Sequence, residues 1–133
     1  RLLVQDGIYE AFAKRLAETV GAMKVGPGVE SGAVIGPLID MKAIDKVEEH
    51  VSDAVKKGAQ VVVGGHRHRL GGSFYEPTVL ANVTTDMLVT RGETFGPVGP
   101  PFRFKSEAER KRLFGHDRSL AARDPFAVRL AAA

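Results

Sequence analysis

The sequence has 133 residues, 44% of them apolar and 26% charged, a formal net charge of +3, and no Cys or Trp. Those figures suit one globular domain and exclude two full domains or a disordered chain. The missing Cys excludes a disulfide framework, a Cys-based zinc site and a thiol nucleophile within these residues. Arg1–Gln5 reads as a short apolar strand. Asp6 and Gly7 offer an N-cap for a helix over about residues 7–23, whose stripe is Ile8, Phe12, Leu16, Val20 and Met23. Gly26-Pro27-Gly28 closes the helical region. A second helix is predicted from about Asp40 to Lys57, with Ile44, Val47, Val51, Ala54 and Val55 apolar and Gly58 as its C-terminal cap. Gln60–Val63 is β-branched and reads as a buried strand. Residues 74–83 are extended, with Pro77 at an edge or a strand start. Met87–Thr90 is predicted as a short extended piece, Glu93–Pro101 as a shaped Gly/Pro loop, and Phe102–Phe104 as a strand. Ser106 followed by Glu107 and Glu109 opens a last helix. The order of elements gives an α/β layer. From Gly115 the periodicity fails, and residues 119–133 show no clear face.

The charge is uneven. Residues 1–109 carry 13 Lys and Arg against 14 Asp and Glu, and residues 110–133 carry 6 against 2. The pI near 9.4 therefore belongs to the last 24 residues. A nucleic-acid-binding domain more often spreads its basic stripe over folded elements, so no nucleic-acid partner is expected. No stretch approaches the roughly 18 apolar residues of a membrane span. The N-terminus runs into charge at Asp6 without an apolar leader. A cytoplasmic location and no membrane partner are expected.

Most chemical motifs fail on spacing. The glycines of residues 26–32 miss the G-x-G-x-x-G pattern by one residue and follow a helix, not a strand. Gly64-Gly65 follows a strand, but no Lys-Ser/Thr pair closes a phosphate loop. His66 and His68 alternate with Arg67 and Arg69 and lack a completing Cys or carboxylate, so a solvated loop is expected and no metal site. His50 and His116 have no partner pattern, and Glu48-Glu49 reads as surface charge. No nucleophile–base pair is legible, and no catalytic residue is assigned. Residues 91–98 differ, because Glu93, Phe95 and a Gly-Pro turn fall together. Such a loop offers a carboxylate to vicinal hydroxyls and a ring to a planar heterocycle, although turn chemistry alone also accounts for it.

Glu93-Thr94-Phe95-Gly96-Pro97 resembles the E-x-F-G-P signature of the NAD(P)-dependent aldehyde dehydrogenases. Four further segments are similar to that family in order: Arg1 to Tyr9, Val34 to Asp40, Lys56 to Gly65, and Gly71 to Leu80. The resemblance covers residues 1–109, and its first segments are most similar to the succinate-semialdehyde branch. It implies part of a three-layer α/β catalytic domain and oxidation of an aldehyde, expected to be succinate semialdehyde, to the acid. In the family a cysteine attacks the aldehyde, hydride passes to NAD or NADP, and a glutamate base activates water to release the acid. Glu93 matches the residue that binds the nicotinamide-ribose hydroxyls, and Phe95 the residue beside the nicotinamide ring. Gly96 and Pro97 would shape that loop.

The family's catalytic cysteine would lie about five residues before Arg1, and its base and cofactor domain lie further upstream. The 133-residue chain alone is therefore expected to be inactive, weak or silent toward cofactor, and prone to homo-oligomerise. Residues 110–133 depart from the family pattern and read as a divergent basic tail. One alternative makes the chain a non-catalytic interaction or regulatory domain with an enzyme-derived fold. Another makes the tail out-of-frame sequence.

Overall fold

A computed structural model of the chain describes residues 2–114. Its elements are β1 (Leu2–Gln5), a 3₁₀ turn (Asp6–Ile8), α1 (Tyr9–Gly21), α2 (Met41–Lys56), β2 (Gln60–Val63), β3 (Thr78–Ala81), α3 (Leu88–Arg91), β4 (Val98–Gly99), β5 (Pro101–Phe104) and α4 (Glu107–Phe114). β1 and β5 pair in parallel. A second sheet has the order β2-β3-β4, antiparallel on one side of β3 and parallel on the other.

β3 is the central strand, and all four of its residues are buried. Successive side chains on a strand face opposite sides. Leu80 belongs to the cluster built on α2, with Ile44, Val47, Val51 and Ala54. Val79 instead lines an apolar groove with Leu16 and Val20 of α1. Helix, sheet and helix therefore form three layers. Burying a Val or Leu this completely contributes about 1.5–3 kcal/mol each.

α2 forms as its sequence dictates. Asp40 is its N-cap, and the carboxylate accepts from Ala43 N at 2.8 Å. The apolar stripe is buried except for Val55, which is exposed. α1 begins differently from the expectation. Asp6 opens a 3₁₀ turn, not the helix, and α1 starts at Tyr9 with no side-chain cap. Asp6 is drawn away by Arg103, whose guanidinium pairs with it at 2.6 Å and also pairs with Glu10. The buried residues of α1 are Tyr9 and Ala13, while Ile8 is exposed and Leu16 and Val20 are half-buried.

Two further expectations are corrected. β2 is not buried: it is an edge strand, with Val61 and Val62 exposed. Its β-branched content promotes the strand, but position in the sheet sets burial. Residues 88–91 form one helical turn in place of an extended piece. Asp53 of α2 accepts from Leu88 N at 2.7 Å, and the Thr90 hydroxyl donates to Met87 O at 2.6 Å. A partner on a neighbouring helix thus caps a turn that local propensity would not form. Pro77, for its part, marks a strand start, since β3 begins at the next residue. α4 spans residue 110, and Ser106 Oγ accepts from Glu109 N at 3.2 Å at its start. His116 and the rest of residues 115–133 lie outside the described residues.

Candidate functional site

The loop from Gly92 to Pro97 is held at four places. Gly92 follows α3 and donates its N–H to Leu88 O at 3.0 Å. Thr94 Oγ1 lies 2.9 Å from His50 Nδ1 on α2. Gly96 packs on Val47 of α2 so closely that a Cβ there would sit 2.3 Å from Val47 Cγ2. Pro97 O accepts from Thr78 N at 2.7 Å, and β4 then pairs with β3. α2 is therefore the platform for the loop, with α3 and β3 as its two abutments.

Between those anchors the chain alternates. Thr94 and Gly96 are half-buried, whereas Glu93 and Phe95 are exposed. Phe95 is 77% exposed, and its backbone is left-handed at φ 50°. An aromatic residue there carries about 1–3 kcal/mol of strain, which persists only where neighbouring contacts impose it. Lys46 Nζ lies 5.5 Å from the Phe95 ring centroid. Both sequence-predicted site residues thus project from one braced loop, two positions apart, as a carboxylate and an apolar ring.

The sequence reading missed the platform. Lys46, Val47 and His50 lie on adjacent turns of α2 and meet Phe95, Gly96 and Thr94 in turn. His50 was expected to lack a partner, and Thr94 supplies one. A signal was present: His50 falls three residues after Val47 and four before Ala54, on the buried stripe. It is 6% exposed, and burial followed by the Lys46 charge holds its imidazole below the ordinary value. His50 is accordingly neutral at neutral pH, and its bond to Thr94 joins two neutral groups.

The other charged groups are structural. Arg67 bridges Asp45 and Glu48 of α2, and its hydrogen bond holds Glu48 below the usual carboxylate range. Lys57 and the Leu88 amide hold Asp53 below it as well. His68 Nδ1 accepts from Leu70 N at 3.2 Å, and its Nε2 is 3.6 Å from Glu76. Among the described residues, no group of three or more His, Cys, Asp or Glu side chains could hold a metal ion. No described helix is long and apolar enough to cross a membrane.

Comparison with known proteins gives consistent matches. Residues 1–116 match the profile of the aldehyde dehydrogenase family. A 3-sulfolactaldehyde dehydrogenase of Pseudomonas putida is 58% identical over 109 residues, which are 82% of this chain and 22% of that protein. The crystal structure of succinate-semialdehyde dehydrogenase from Burkholderia pseudomallei superposes with a TM-score of 0.83 at 54% identity, over 85% of this chain and 23% of that one. Betaine aldehyde dehydrogenase from Staphylococcus aureus, in complex with NAD+, gives 0.79 at 35% identity over 84% and 23%. The chain thus spans less than a quarter of the length of the proteins it matches.

Proposed function

From the premise that this chain belongs to the aldehyde dehydrogenase family, we propose that it supplies the nicotinamide-facing loop to an enzyme that oxidises an aldehyde to the acid. The bound nicotinamide cofactor, NAD or NADP, supplies the hydride acceptor. Glu93 accepts hydrogen bonds from the nicotinamide-ribose hydroxyls, and Phe95 lays its ring beside the nicotinamide. The observation that carries this reading is the pairing of exposure with bracing: Glu93 and Phe95 project outward from a loop whose intervening residues are locked to α2. The left-handed Phe95 backbone supports it, because strain of that kind concentrates at ligand-binding positions.

Succinate semialdehyde is the proposed substrate, on the similarity of the first three family segments to that branch of the family. The 133-residue chain contains no thiol to attack the aldehyde, so alone it turns over no substrate. It also self-associates, with the exposed Val61-Val62 edge of β2 as the contact.

The test places residues 1–109 into the Burkholderia pseudomallei succinate-semialdehyde dehydrogenase in place of its matching segment. Glu93→Gln in that chimera is expected to raise the cofactor KM about tenfold or more, since a hydrogen bond to a charged group contributes about 1.5–3 kcal/mol. An unchanged cofactor KM contradicts the proposed role of Glu93. Detectable turnover of succinate semialdehyde by the 133-residue chain alone contradicts the expected inactivity.

A further inference from the structure

We infer that His50 is a positioning residue for the nicotinamide-facing loop: its Nδ1 bond to Thr94 Oγ1 sets the rotation that turns Glu93 and Phe95 outward. The inference rests on the proposed function of that loop. Thr94 lies between the two projecting residues, so fixing its side chain inward fixes theirs outward. The C-terminal half of the loop is held by backbone and by a glycine contact, through Pro97 O and Gly96. The N-terminal half has a side-chain hold, and His50 provides it.

A merely structural histidine fits the position less well. The site lies on the buried stripe of α2, where an apolar side chain would pack without a desolvation cost. His50 brings a polar atom into that stripe and directs it at the loop, not at its own helix. Gly92 also packs against the ring, where a Cβ would lie 3.4 Å from His50 Cε1. The ring thus meets the first and third residues of the loop. The charges acting on it come from its own helix, namely Lys46, Glu49 and Asp53, and the loop presents it with a hydroxyl and a glycine backbone.

The test compares His50→Leu, Thr94→Val and His50→Asn. The Asn side chain can place a polar atom close to the Nδ1 position. In the 133-residue chain, amide hydrogen exchange is read at residues 93–96 against the β3 amides of residues 79–81. His50→Leu and Thr94→Val are expected to speed exchange at 93–96 about fivefold to tenfold relative to β3, and His50→Asn to return it near the parent rate. In the chimera, the first two are expected to raise the cofactor KM by a similar factor and leave the aldehyde KM within about twofold, with Asn again restoring the parent value. Unchanged exchange in both His50→Leu and Thr94→Val overturns the inference, as does His50→Asn behaving like His50→Leu. Faster exchange with an unchanged cofactor KM also overturns it. Glu93→Gln is expected to leave the exchange at 93–96 unaltered, so a null effect on cofactor KM there removes the role of Glu93 without touching the His50–Thr94 hold.

Discussion

Around Tyr9, three buried residues (Val4, Tyr9 and Ala13) are tied down mainly by polar links. The Tyr9 hydroxyl donates to Pro101 O at 3.2 Å and accepts from Asn82 N at 3.0 Å. Arg103 stacks 4.0 Å over the Tyr9 ring and pairs with Asp6 and Glu10. Around α2, eleven buried residues pack together, and two of the helix's polar side chains, His50 and Asp53, reach the loop and α3. Exposed ion pairs of the first kind contribute little each, whereas apolar burial of the second kind carries most of the stability. The loop with Glu93 and Phe95 is fastened to the part of the molecule that holds itself together by packing.

Truncating one residue in each cluster would break that comparison most sharply. Ile44→Ala, at a position with no exposure, is expected to lower unfolding stability by about 2–5 kcal/mol. Val4→Ala is expected to cost about 1–2 kcal/mol. Chemical denaturation of both variants checks the order, and equal losses would mean that the two clusters do not differ as described.

Acid sharpens the same comparison by a smaller effect. Hydrogen bonds from Arg103, Arg67 and Lys57 hold Asp6, Glu48 and Asp53 below their ordinary values of 3.8, 4.5 and 3.8. A carboxylate depressed in the folded state adds stability that is present above its unfolded value and lost as pH falls through the folded one. Stability is therefore expected to decline below about pH 4.5. Amides around Tyr9 should lose protection before those of β3, because Asp6 serves the cluster with less packing beneath it. Asp6→Asn should flatten that early loss. Simultaneous loss at both clusters would contradict it.

Much of this was legible in the sequence, and the failures share a cause. α2 was readable because its cap, stripe and terminal glycine all lie within one stretch of chain. Of the loop read over Glu93–Pro101, the part to Pro97 was readable because Gly and Pro fix its turns locally, whereas Val98–Gly99 is strand β4, which forms by pairing with β3. The start of α1 was misread because Asp6 serves Arg103, 97 residues away. The helical turn at 88–91 was missed because its cap comes from Asp53, 35 residues away. His50 was passed over because its partner, Thr94, is 44 residues distant. Periodicity and local caps carry no record of such pairings. The exposure of β2 was hidden for a related reason, since strand order is a property of the sheet and not of the run of valines.

Gly96→Ala probes whether packing of the loop on α2 sets its proposed fit to the nicotinamide cofactor. The added Cβ would fall 2.3 Å from Val47 Cγ2, on a β-branched side chain with little freedom to turn away, so the loop itself must shift. Steady-state kinetics of the chimera carrying Gly96→Ala should show the cofactor KM raised about tenfold or more with the aldehyde KM within about twofold of the parent. A cofactor KM equal to the parent's, or an equal rise for both substrates, would contradict the account.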